Sequence, residues 1–229
     1  MLTEKQIELV KSSVPTLQER GVEITAALYR RLLAGNPEMR QLFNQGHQRT
    51  GKQHMSLAAA ILSYAQNIEN PIVLFNAVQH IASKHVSLNI RAEHYPIMGR
   101  HLLDAIEEVL GDAATDELLD AWASAYAQLA EIFIKTEAEL YEESANANGG
   151  WSGWRAFRII NKNQETEDIF SFILEPVDGG ELRDVIAGQF VSLRIYLKDQ
   201  GLIQPRQYTV NAHDHKSIRI SVRRIPPVD

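Results

Sequence analysis

The sequence predicts an all-α domain followed by a small, partial antiparallel β-barrel, and three observations predict it. Residues 3–143 carry apolar side chains at three- and four-residue steps, the period of helices that bury one face. Residues 146–154, NANGGWSGW, hold turn-forming types and no period. Beyond them the period drops to two in five short runs rich in Ile, Val, Phe and Tyr, the signature of strands. The 229 residues therefore divide into 1–145, a linker at 146–154, and 155–229.

Each element has a local reason. Thr3 and Gln6 form a capping-box pattern ahead of Ile7, Val10, Val14 and Leu17, which step at helical spacing. Leu28, Leu32 and Leu33 extend the pattern until Asn36-Pro37 stops it, because proline lacks the N–H a helix needs. Residues 52–68 form the next helix, ended by Asn70-Pro71, and 72–85 another. Tyr95-Pro96 opens a helix that reaches Leu110 before Gly111, and about 115–143 is the last and longest. Short connections between six or seven helices make an all-α domain. The strand runs are FRIINKN, DIFSFILEP, QFVSLRIYL, RQYTVNA and SIRISVRR, with Asp178-Gly179-Gly180 as a turn. Five short strands suggest a small antiparallel barrel. Its core is small, so it is expected to lean on the helices.

Composition narrows the function classes. A net charge of −6 argues against a general affinity for nucleic acid or anionic membrane. The chain has no cysteine, which excludes disulfides, iron–sulfur clusters and catalytic thiols. The N-terminus MLTEKQIELVKSS has no apolar signal core, and no run reaches the roughly 18 apolar residues that span a bilayer. A cytoplasmic chain without a membrane span is the expectation.

Two polar residues fall where apolar ones belong. Val78, Ile81, Ala82 and His85 share one helical stripe. Trp122, Tyr126, Leu129, Phe133 and Glu137 share another. A buried carboxylate must find donors, and His85 and Tyr95 are available. A histidine that donates its far nitrogen to a carboxylate is the arrangement of metal-bound imidazoles. It is equally the arrangement of a structural polar cluster, so spacing leaves both readings open.

QLFNQGHQRTGKQHMSLAAAI, IASKHVSLNIRAEHYPIMGRHLL and AWASAYAQLAEIFIKTEAELY, with the later GGWSGWRAFRI, LEPVDGG and RQYT, occur in order along the chain. On these motifs the sequence resembles bacterial flavohaemoglobins. The resemblance implies a globin fold holding haem b, with His85 as the ligand to iron and Tyr95 and Glu137 hydrogen-bonded behind it, making that ligand more basic. It implies that Tyr29 and Gln53 face bound dioxygen, that Phe43 and Leu57 pack on the haem, and that Lys84 pairs with a haem propionate. Residue type alone would leave Tyr29, Leu57 and Phe43 as core, and Gln53 and Lys84 as surface. His47 and His54 read as solvent-facing, and His80, His94 and His101 receive no role.

In the strand half, Arg206, Gln207, Tyr208 and Thr209 match the Arg-x-Tyr-Ser/Thr motif of the ferredoxin-reductase-type FAD-binding barrel, supported by GQFVSL upstream. The resemblance implies that Arg206 pairs with the pyrophosphate, that Tyr208 stacks on the flavin, and that Thr209 bonds to ring atoms. Phe190 stands where the family commonly has tyrosine, which keeps stacking and loses a hydroxyl. After SIRISVRR the sequence reads IPPVD and contains no glycine-rich turn between a strand and a helix. The expectation is therefore an absent NAD(P)H site. The activity implied is that of a nitric oxide dioxygenase, with O2 and NO as substrates and an external reductase supplying electrons. The alternatives are a globin that carries or senses O2 or NO beside a vestigial flavin domain, and a strand half that fails to fold.

Overall fold

The computed structural model describes residues 2–225, with the side chain of Gln200 outside that description. Residues 226–229, the end of the IPPVD stretch, fall outside it. Seven α-helices precede five strands among the described residues. The helices are α1 (Glu4–Ser12), α2 (Val14–Gly35), α3 (Gln45–Arg49), α4 (Lys52–Gln66), α5 (Phe75–Ser87), α6 (His94–Leu110) and α7 (Asp116–Asn146). The strands are β1 (Phe157–Gln164), β2 (Ile169–Pro176), β3 (Phe190–Leu197), β4 (Leu202–His213) and β5 (Ile218–Arg223).

The Thr3–Gln6 capping box forms as expected. The helical run that follows is two helices: α1 ends at Ser12, and Val14-Pro15 restarts the chain as α2. Proline suits the first turn of a helix because its missing N–H would have no partner there. Pro71 acts in the same way, so residues 71–74 form a 3-10 turn and α5 starts at Phe75. At the other end of α5, the N–H of Ile90 bonds to the carbonyl of His85 and that of Asn89 to Val86, both at 3.0 Å. Asn89 takes a positive φ of 60°. This is a Schellman closure, and it fixes the turn that carries His85.

The helical core joins Leu28, Leu32, Ile61, Tyr64, Leu102, Ile106 and Trp122. A smaller cluster of Val78, Ala82, Tyr95, Ala130 and Phe133 lies under α5. Gly99 lets α6 and α7 meet there: a Cβ at that position would stand 2.6 Å from the ring of Tyr126.

The strands form one antiparallel sheet in the order β1-β2-β5-β4-β3. It curls as a half-barrel around Leu174, Leu182, Val210, Ile218 and Ile220. β4 begins at Leu202, ahead of the RQYTVNA run, and takes Pro205 into the strand opposite Arg194. The linker is docked. Gly149 (φ 66°) accepts from Arg183 N at 3.0 Å, and a Cβ there would meet Leu182 at 2.5 Å. Trp151 packs on the strand core, with the Arg155 guanidinium 5.4 Å from its ring.

Among the described residues two hydrogen bonds join the halves. Gln45 N donates to Gln204 Oε1 at 3.1 Å, and the hydroxyls of Ser87 and Ser192 pair at 2.8 Å. Among the described residues no helix is long and apolar enough to cross a membrane.

Candidate functional site

A cavity of about 290 Å³ opens between α2, α4, α5, α6 and α7. Its lining is mainly apolar, as small-molecule sites are, and includes Leu28, Phe43, Leu57, Ile61, Met98 and Phe133. Tyr29, Gln53, Lys84, His85 and Tyr95 also face it, and Pro205 and Gln207 reach it from β4.

On the α5 side, His85, Tyr95 and Glu137 come together as their spacing suggests. Glu137 is only 3% exposed. His85 Nδ1 donates to Glu137 Oε1 at 2.7 Å, and the Tyr95 hydroxyl donates to the same oxygen at 2.5 Å. Two donors offset the desolvation of the buried carboxylate. Burial and the neighbouring Glu137 push the Tyr95 phenol well above its ordinary range, so it stays a donor. Tyr126 donates to the Tyr95 carbonyl at 2.8 Å and anchors the start of α6. The His85 ring leans on Phe133 at 5.5 Å.

With Nδ1 committed, Nε2 of His85 makes no hydrogen bond among the described residues, and His85 lines the cavity. Among the described residues no three ligating side chains cluster. A metal held by His85 must therefore bring most of its donor atoms with it. A flat, apolar macrocycle that encloses its metal suits one free imidazole nitrogen facing an apolar slot.

A second set of lining residues comes from α2 and α4. Tyr29 is 3% exposed. Gln53 Nε2 donates to the Tyr29 hydroxyl at 3.1 Å. That hydroxyl thus accepts from protein and keeps its own proton to offer. Burial pushes the Tyr29 phenol up to about 12, against a smaller lowering by Gln53, so it is neutral near pH 7. Phe43 meets the Tyr29 ring edge-on at 5.4 Å.

His47 and His54 do not face solvent as expected. His47 lines the cavity; burial and then Lys84, Lys52 and Arg206 hold its pKa below the ordinary value. His54 packs on Tyr29, with ring centroids 5.3 Å apart. His94 also lines the cavity, its Nδ1 accepting from Arg91 N at 2.9 Å. His80 is exposed, and His101 Nδ1 is buried without a hydrogen-bond partner, 3.9 Å from Asp104 Oδ2. No periodicity signals the position of His47, because α3 is too short to show any, and His54 lies in the first turn of α4. Gly99 and Gln204 are likewise visible only through the surfaces they meet.

The strand residues gather less tightly. Val191 pairs with Tyr208 and Leu193 with Arg206, whereas Phe190 pairs with Thr209 and Ser192 with Gln207. Paired residues share a face. Arg206 and Tyr208 therefore lie on one side, with Phe190, Gln207 and Thr209 on the other. Arg206 Nη1 donates to the Pro205 carbonyl at 2.8 Å. Tyr208 packs against the strand core.

Residues 26–133 match the family model described as Globin. The chain is 52% identical to the "Flavohemoprotein" of Bordetella pertussis over 98% of its own length and 56% of the relative's. It thus spans little more than half of the curated relatives it matches. A flavohemoglobin structure from Malassezia yamatoensis with bound FAD and heme superposes with a TM-score of 0.89 at 31% identity, covering 98% of this chain and 58% of that one. A structure described as an engineered carbene transferase, "putative nitric oxide dioxygenase from Rhodothermus marinus", is 40% identical with a TM-score of 0.61. It is matched along 100% of its length by 64% of this chain.

Proposed function

The chain belongs to the globin family and is similar to flavohemoproteins along nearly its whole length, and on that premise we propose that it is a haem-dependent oxidoreductase that turns nitric oxide and dioxygen into nitrate. One observation carries this reading: a histidine locked to a buried carboxylate through Nδ1 leaves Nε2 free in an apolar cavity whose other lining offers a neutral phenol. Haem, when bound, supplies the iron chemistry for the sum NO + O2 + e⁻ → NO3⁻.

The protein's own groups do the rest. His85 would hold the iron through Nε2. Glu137, by accepting from Nδ1, fixes the tautomer and makes the imidazole a stronger donor to metal. Tyr95 pins the carboxylate by sharing its oxygen. Phe43 and Leu57 would pack on the macrocycle, and Lys84 would pair with its carboxylate edge. Tyr29, oriented by Gln53, would donate to the diatomic ligand in a water-poor space, where such donors act most strongly. O2 and NO are the substrates in this reading.

The strand half is proposed to hold FAD, with the Arg206 fork on phosphate and the Tyr208 ring on the flavin. Phe190, Gln207 and Thr209 would contribute from the neighbouring face. The division into 1–145, 146–154 and 155–229 belongs to the same proposal, as does a cytoplasmic location.

A second reading, a globin that binds O2 or NO without repeated turnover, is favoured by one feature: apart from Pro205 and Gln207, the cavity's lining comes from the helical half. Nitrate yield separates the two. In hemin-loaded protein supplied with O2, NO and an external reductant or reductase, many nitrates per haem are expected, and Tyr29→Phe and Glu137→Gln should lower the rate. A yield of one nitrate per haem despite fast re-reduction would favour the binding protein.

A further inference from the structure

Tyr29 is gripped by two consecutive residues of α4 in two different ways. Gln53 takes its hydroxyl at 3.1 Å. His54 covers its ring, with centroids 5.3 Å apart and planes inclined by 32°. Neighbours on a helix point about 100° apart, so one turn reaches both the tip and the face of the phenol.

His54 is itself fixed at two points. Its Nε2 donates to Gln48 Oε1 on α3 at 3.1 Å. Its backbone carbonyl accepts from Thr25 Oγ1 at 2.9 Å, one turn before Tyr29 on α2, and Thr25 is fully buried. The amide nitrogen of Gln48 is buried without a partner, so its side chain's one hydrogen bond is to His54. Phe43 closes the Tyr29 ring from another side at 5.4 Å and 81°.

We propose that His54, clamped by Gln48, is a positioning residue that holds the Tyr29 ring and so sets the point at which its phenol is offered to the cavity. His54 does not line the cavity itself. It acts through Tyr29, and its effect should vanish when the Tyr29 hydroxyl is removed. The consequence for bound diatomic ligands rests on the function proposed above.

The experiment uses the full chain in two readouts. The first is the C–O stretching band of the hemin-loaded, reduced protein under carbon monoxide, which moves to higher wavenumber as a donor to the ligand is lost. His54→Ala is expected to shift the band upward, towards the position seen in Tyr29→Phe. His54→Phe, which keeps a ring over Tyr29, should restore much of the wild-type band. Gln48→Ala should give a smaller shift than His54→Ala. In the Tyr29→Phe background His54→Ala should add nothing, since coupled residues are not additive. An unchanged band in His54→Ala, or a shift that persists without the Tyr29 hydroxyl, overturns the proposal.

The second readout needs no haem: ring resonances of 13C-tyrosine-labelled protein, with Tyr29 assigned by its loss in Tyr29→Phe. The two edges of the Tyr29 ring should be distinct in the wild type and should merge, through faster flipping, in His54→Ala. Identical signals in both proteins overturn the proposal. Failure of the wild type to take up hemin would sink the function proposed above, and the tyrosine spectra alone would then decide the role of His54.

Discussion

In the helical half, side chains from α5, α6 and α7, up to 52 positions apart, meet on one carboxylate oxygen. In the strand half, four consecutive residues, Arg206 to Thr209, are parted by the pleat onto two faces. The difference lies in what burial demands. Glu137 is out of water and must be given donors by the fold. Thr209 and Gln207 are exposed and can be satisfied by solvent, so nothing inside the chain forces them to converge. Distance along the sequence is therefore a poor guide to a site, and a buried polar residue on an apolar stripe is a good one.

Glu137→Leu breaks the convergence most severely. It takes the acceptor from the buried Tyr95 hydroxyl and the half-buried His85 Nδ1, which stand 3.2 Å apart and can still pair with each other, and a buried group left unpaired costs about 1–3 kcal/mol. Urea unfolding should show a loss of roughly 1–3 kcal/mol on that basis, with Glu137→Gln recovering part of it. A loss no greater than a typical surface substitution would mean the cluster contributes little to stability.

Gln204→Ala tests whether the halves are held together at the cavity. Gln204 is 3% exposed and accepts from Gln45 across the junction. Its removal should cost about 1–2 kcal/mol and quicken proteolysis within 146–154. Unchanged cleavage would show that the docked linker holds the halves without this contact.

The smallest effects sharpen the comparison through pH. The raised pKa of Tyr29, about 12, means the folded state favours the neutral phenol. Its contribution is complete below the ordinary tyrosine pKa of 10.0 and is lost as pH rises through about 12. Asp178 goes the opposite way. Arg155 holds its carboxylate down to about 2, so its contribution is present above 3.8 and is lost as pH falls through about 2. Tyr29→Phe should flatten the alkaline limb of a stability–pH profile and Asp178→Asn the acid limb. Effects on the reverse limbs would contradict these assignments.

Much of this was legible in the sequence wherever a period ran long enough. The stripe through Trp122, Phe133 and Glu137 gave both α7 and its buried carboxylate. The break between α1 and α2 was hidden, because the apolar pattern runs on through Val14 and Leu17 while Ser13 turns the chain. The start of β4 is hidden because Leu202–Pro205 contains proline, which demotes a strand on propensity alone. The Globin match and the half-barrel bear out the fold class. What resisted was contact without pattern: His54 over Tyr29, Gly99 beneath Tyr126, Gln204 beneath Gln45.

We propose that the free nitrogen of His85 makes this cavity a haem site. Hemin titration of the full chain, followed by reduction and carbon monoxide, tests it most directly. One hemin per chain is expected, with a strong band that shifts with carbon monoxide, and a His85→Ala variant should lose this spectrum. A wild type that takes up no hemin, or a His85→Ala spectrum identical to the wild type, would contradict it.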